Sequence, residues 1–141
     1  MLTPHHKEFA DLLGITVTEL ENDLLGIGKE FSRETNSFLV LKGAPTMIFN
    51  PSGECFINTT GNPGMAKFGV GDVLTGVLAA FLAQSDNIES AVISAVYLHS
   101  LAGDLLLKEL TEYGISATDL MENIPYAIKF VKKSILHSIE E

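Results

Sequence analysis

Between Thr60 and Gly76 the chain reads TGNPGMAKFGVGDVLTG, and the residues whose types and spacing could do chemistry are gathered there. Gly61, Gly64, Gly69 and Gly71 with Pro63 make a loop of little side-chain bulk, which runs into an apolar, alanine-rich segment with Asp72 in its first turn. Glycines let backbone N–H groups converge, and a helix start adds the positive end of its dipole, so such a loop suits an anion. If the amides of Gly69, Val70, Gly71 and Asp72 turn toward one point, they form an anion hole for a terminal phosphate. The Asp72 carboxylate could then take a proton from an attacking hydroxyl. The residues alone leave a second reading open, in which the loop is merely tight and Asp72 caps a helix.

Other candidates are weighed in the same way. Lys42 leaves the end of the apolar run Ser37–Leu41, and α/β proteins place ligands at strand ends; a surface lysine would look the same. His5 could donate to a ligand or sit solvated in a first helical turn. His99 lies among alanines and leucines and reads as a hydrogen-bonded core histidine. Cys55 falls in an expected strand and reads as structural, not as a nucleophile. Glu109, Glu112, Glu140 and Glu141 lack metal-ligand spacing with histidine and read as a solvated face, so no protein-held metal is expected. Asn62, Met65 and Phe68 are assigned to packing and loop shape.

The chain has 141 residues, a hydrophobic share of 46% and a net charge of −9, which suits one globular domain. Its nine basic residues are scattered, which argues against a nucleic-acid surface. One cysteine and no apolar leader after Met1 lead to the expectation of a cytoplasmic protein. The stretch Val73–Ala83 is too short to cross a bilayer, so no membrane partner is expected.

The elements that must position these residues follow from punctuation and periodicity. Thr3-Pro4 predicts a helix start and Gly14 its stop. Thr18 to Glu21 predicts a capping box, with Leu20, Leu24, Ile27 and Phe31 recurring behind it, so two helices precede the first strand. Ser37–Leu41 reads as a strand covered on both faces. Thr46–Phe49 and Glu54–Ile57 flank Asn50-Pro51-Ser52-Gly53 and predict a hairpin. Three helices follow. They run from about Gly71 to Gln84, from Asp86 or Asn87 with Ile88, Ala91, Val92, Ala95, Val96, Ala102 and Leu106 buried along one stripe, and from Ser116 toward Ile135. Pro125 is expected to kink or restart the last.

The glycine segment Thr60–Ala66 followed by Gly69-Val70-Gly71-Asp72-Val73-Leu74-Thr75-Gly76 resembles the signature of the NAD(P)H-hydrate dehydratases, in the ribokinase-like superfamily. Leu2-Thr3-Pro4-His5 with Glu8 resembles the family's T-P-H-P-G-E element. Leu41-Lys42-Gly43-Ala44-Pro45-Thr46 resembles its K-G-x-x-T element, and Tyr97-Leu98-His99 with Ala102-Gly103-Asp104 its second helix.

The resemblance implies a repair reaction on hydrated NADH or NADPH: a nucleotide phosphorylates the ring hydroxyl, and phosphate elimination restores the dihydropyridine. It places nucleotide contacts on Lys42, Gly43, Ala44, Pro45, Thr46 and Gly71, and hydrated-cofactor contacts on His5 and Asp72. Asp72 would be the base, and the amides of Gly69, Val70, Gly71 and Asp72 the anion hole. The phosphoryl donor is ADP or ATP, with the form Asn62–Ala66 resembling the ADP-using branch, and Mg²⁺ arrives bound to its phosphates. The alternatives are a kinase of the same superfamily acting on a vitamin precursor, or a non-catalytic nucleotide-binding remnant.

His6 and Lys7 stand where the family's element has proline and glycine. The family's parallel-sheet half, its glycine-rich substrate loop and its D-A-D element find no counterpart. Residues 1–141 are therefore expected to be the C-terminal half of a dehydratase domain. The expected fold is α/β, half of a ribokinase-like three-layer arrangement with few strands, a hairpin and about five helices. Ser37–Leu41 is expected to lack parallel neighbours within the chain, and the protein to act as a homo-oligomer or with a companion chain.

Overall fold

A computed structural model describes residues 1–139, in two compact units, the first Met1–Thr59 and the second beginning at Thr60. Glu140 and Glu141, assigned above to a solvated face, lie outside the described residues.

The first unit holds helices α1 (His6–Leu13), α2 (Val17–Asn22) and α3 (Leu24–Glu34), then strands β1 (Leu39–Leu41), β2 (Thr46–Phe49) and β3 (Cys55–Asn58). The strands form one antiparallel sheet in the order β1-β2-β3, with Val40 opposite Ile48 and Ile48 opposite Phe56. The hairpin is as expected: Gly53 adopts φ 79°, a left-handed value suited to glycine, and the Asn50 side chain accepts from the Glu54 amide at 2.9 Å.

β1 does have parallel contacts within the chain, contrary to expectation. Leu2 and His5 form parallel bridges to Leu39 and Lys42, through Leu2 N to Phe38 O (2.9 Å), Val40 N to Leu2 O (2.9 Å) and Lys42 N to Pro4 O (2.8 Å). This pairing also corrects the start of α1. Residues 2–5 are drawn out beside β1, so the helix begins at His6 and is capped by His5, not Thr3. Gly14, at φ 70°, ends it as expected.

The capping box of α2 is Thr16 with Glu19, two residues earlier than Thr18 with Glu21. The single amphipathic stretch behind it is two helices, because Asp23 leaves helical geometry and caps α3 by accepting from Gly26 N at 2.8 Å. Their apolar faces meet around Phe9, Leu20, Leu39, Leu41 and Phe49, with Phe9 and Phe31 edge to face at 5.1 Å. Gly28 lets α3 approach the sheet, since a Cβ there would lie 2.4 Å from the Phe49 ring.

The second unit comprises a 3₁₀ turn (Pro63–Met65) and helices α4 (Val70–Leu82), α5 (Ile88–Leu106) and α6 (Ala117–Ile139). α5 packs on both α4 and α6. Val70, Leu98, Leu101, Ala102, Leu120 and Ala127 form the core between them. Ile88, expected in the buried stripe, is exposed at the first position of α5. α6 runs through Pro125 without restarting and extends past Ile135. The described residues thus hold six α-helices, one more than expected.

Candidate functional site

In the first unit, the T-P-H and K-G-x-x-T elements are brought together by the parallel bridge between His5 and Lys42. Glu8 links them. Its carboxylate accepts from the His5 amide at 2.7 Å, lies 3.4 Å from His5 Nε2 and faces Lys42 Nζ at 3.6 Å. The bond from the His5 backbone, with help from the Lys42 charge, holds the Glu8 carboxyl below the usual range. His5 Nδ1 accepts from Glu8 N at 3.2 Å, which commits that nitrogen to the cap, while Nε2 is the edge that faces the Glu8 carboxylate. The sequence signal for Glu8 was its place three residues after His5, the spacing of a capping box.

Beyond Lys42, Gly43, Ala44 and Pro45 are exposed, the Ala44–Pro45 peptide is cis, and Thr46 Oγ1 donates to Gly43 O at 3.1 Å. His6, where the family element has proline, turns its ring against Gly43: a Cβ at that position would lie 2.8 Å from His6 Nε2. Its Nδ1 is 3.4 Å from Glu21 Oε1.

In the second unit the glycine segment is anchored at several points before it reaches α4. Asp104 on α5 accepts from Gly61 N (2.9 Å) and from Asn62 Nδ2 (3.0 Å), while Asn62 Oδ1 accepts from Gly64 N (3.0 Å). Met65 packs against Gly103, where a Cβ would come within 2.4 Å of its sulfur. Asn62 and Met65 therefore shape and pack the loop, as assigned. Phe68 does not pack, since it is fully exposed beside Gly69.

Gly69 takes φ 84° and begins α4 without any side-chain cap. The Val70 amide turns back to Lys67 O at 3.3 Å, in the tight turn at residues 67–70. Among the described residues, the amides of Gly69, Gly71 and Asp72 meet no acceptor, and neither does the Asp72 carboxylate meet a donor. Asp72 is exposed in the first turn and does not cap the helix.

His99 is buried, as its surroundings predict, and its Nε2 lies 3.1 Å from Val70 O. Burial pulls its pKa down, against the smaller upward effect of that contact, so the ring is held neutral on the first turn of α4. Cys55 is half-buried, and burial raises its thiol pKa, the opposite of an activated nucleophile. Among the described residues, no three His, Cys, Asp or Glu stand close enough to hold a metal, and no helix is long and apolar enough to cross a membrane.

A short antiparallel sheet in one unit and, in the other, a glycine loop that opens an uncapped helix belong to a class seen in solved structures. One is a ribokinase-like superfamily protein from Enterococcus faecalis, 42% identical, with a TM-score of 0.77 over 91% of this chain and 43% of that one. Within that class the chain belongs to the NAD(P)H-hydrate dehydratase family, whose sequence profile matches residues 1–126. An ADP/ATP-dependent NAD(P)H-hydrate dehydratase from Bacillus subtilis, crystallised with ATP and Mg²⁺, is 37% identical with a TM-score of 0.87 over 91% of this chain and 46% of its own. A bifunctional NAD(P)H-hydrate repair enzyme from Moorella thermoacetica is 40% identical over 135 residues, 96% of this chain and 26% of its own length. The chain therefore spans less than half of each of these relatives.

Proposed function

We propose that this chain supplies the nucleotide-binding and proton-accepting parts of an NAD(P)H-hydrate dehydratase, as the C-terminal half of its domain. The reaction is the ADP- or ATP-dependent dehydration of hydrated NADH or NADPH in the cytoplasm. The observation that carries this reading is the uncapped start of α4, with Asp72 unpartnered in its first turn, inside the segment that matches the family. The amides of Gly69, Gly71 and Asp72 would receive the transferred phosphoryl group. Asp72 would take the proton of the ring hydroxyl as its oxygen bonds to phosphorus and the bond to the nucleotide breaks. Elimination of that phosphate then restores the dihydropyridine.

Lys42, Gly43, Ala44, Pro45 and Thr46, with Gly71, would hold the nucleotide, whose phosphates bring Mg²⁺. His5 would contact the hydrated cofactor. A companion chain, or an N-terminal half joined to this one, would complete the substrate side, and assembly into a homo-oligomer belongs to the same reading.

The test mixes hydrated NADH, ADP and Mg²⁺ with this chain, alone and joined to the N-terminal half of the Bacillus subtilis relative. Recovery of NADH absorbance in the joined protein is expected. A stable phosphorylated product without elimination would overturn the dehydratase in favour of a kinase. ADP binding that survives Asp72→Ala, with no turnover in either form, would reduce the chain to a nucleotide-binding remnant.

A further inference from the structure

Lys67 lies two residues before Gly69, and its ammonium group is engaged by backbone alone. Nζ donates to Glu112 O at 2.9 Å, Tyr113 O at 2.8 Å and Ile115 O at 2.7 Å. An ammonium has three donors and no acceptor, so this set uses all of them. Three carbonyl oxygens aimed at one point repel one another unless positive charge sits between them. Convergent backbone carbonyls are also the ligand type that replaces the hydration shell of K⁺.

Two further contacts show what this nest secures. A Cβ on Gly64 would lie 2.7 Å from Glu112 O and 2.8 Å from Glu112 Cα, so the glycine segment meets the loop between α5 and α6 backbone to backbone. A Cβ on Gly69 would lie 3.0 Å from the Ala117 Cβ, so the start of α4 abuts the first residue of α6. Lys67 itself accepts from the Val70 amide at 3.3 Å. The same residue thus fixes the 112–115 backbone through its side chain and the entry into α4 through its carbonyl.

We propose that Lys67 is a resident cation: its ammonium occupies a monovalent-cation nest formed by Glu112, Tyr113 and Ile115, and through it positions the amides at the start of α4. With the charge built in, the loop has no need of dissolved K⁺. Without it, the nest becomes a K⁺ site. The positioning role rests on the phosphate-binding reading above, whereas the nest does not, and two readouts separate them.

The experiment compares the full 141-residue chain with Lys67→Met in KCl and in choline chloride at equal ionic strength. Hydrogen exchange is followed in the 111–116 loop, where the Gly114 amide bonds Thr111 O at 2.9 Å, and ADP affinity by calorimetry. The parent chain should be indifferent to the salt in both readouts. In choline, Lys67→Met should lose exchange protection in the loop and about tenfold in ADP affinity, the scale of one charge-assisted hydrogen bond. KCl should restore both. Protection in Lys67→Met that ignores K⁺ would overturn the nest, as would K⁺ dependence of the parent chain. K⁺-restored protection without any change in ADP affinity would overturn the positioning role. Failure of the parent chain to bind ADP would count against the phosphate-binding reading while exchange still judges the nest. Lys67→Gln, which carries a neutral donor on a side chain one atom shorter, applies the same criteria if Lys67→Met does not fold.

Discussion

The start of α4 and the start of α6 abut through Gly69 and Ala117, yet they are finished in opposite ways. α6 is closed by a reciprocal box: Asp119 N donates to Ser116 Oγ at 3.2 Å and Ser116 N to Asp119 Oδ2 at 2.9 Å. The Ser116 hydroxyl, which donates to Asp119 Oδ2 at 2.6 Å, and then the Ser116 amide hold the Asp119 carboxyl below its ordinary range. Asp72 holds the corresponding early position in α4 and makes no such bond, because its helix begins at a glycine in left-handed geometry. α1, α2, α3 and α5 are capped by His5, Thr16, Asp23 and Asn87, so among the described α-helices α4 alone starts bare. A helix start leaves N–H groups that want an acceptor. Where a side chain supplies it the helix gains stability, and where none does the donors stay available to a ligand.

The comparison is broken most severely by Asp72→Asn. Activity of the joined dehydratase should fall about 10²–10⁴-fold, the scale of a lost general base, while the melting temperature stays within error because Asp72 is exposed and unpartnered. A matching loss of stability would mean that Asp72 is a cap after all. Gly69→Ala should cost about 1–2 kcal/mol in denaturant unfolding from the left-handed backbone alone, with the 3.0 Å approach to Ala117 adding to it.

Ser116→Ala sharpens the contrast from the other side. It should lower stability by about 1 kcal/mol and leave ADP affinity unchanged, since its cap serves only α6. The smallest effect concerns His99, whose pKa is lowered by burial. Below the ordinary histidine value of about 6.5 the unfolded chain binds a proton that the native ring refuses. Native stability should therefore fall as pH drops from that value to the depressed one, and hold constant above it. Chemical unfolding between pH 5 and 8, with His99→Gln as the control, should show a shallower slope in the variant.

The elements with purely local signals were legible from the residues. Gly14 as a stop, the turn at Asn50–Gly53 and the Ser116–Asp119 spacing each record a backbone requirement in one short stretch. The structure departs from expectation where a distant partner decides or where two neighbouring local signals compete. Pro4 looked like a first helical residue, but its carbonyl is taken by Lys42 N at 2.8 Å, and pairing with β1 outweighed local preference. Thr18 is the expected cap but Thr16 takes that role, and Asp23 interrupts the expected continuous helix by capping a second. Glu8 was visible as part of a motif, but its placement between His5 and Lys42 depends on β1 lying beside residues 2–5.

By itself the sequence determined the family and the residues available for chemistry, because glycine, proline and aspartate at fixed spacing constrain the backbone wherever they occur. It also determined which segments would be buried, through their periodicity. Only the tertiary structure decided which of those groups are engaged. Asn62 is spent on Asp104, Lys67 on the carbonyls of Glu112, Tyr113 and Ile115, and His99 on Val70, whereas Asp72 and the amides beside it are left open. The physical reason is that a donor or acceptor is free or satisfied according to what lies within about 3 Å of it. For these residues that neighbour is found far along the chain.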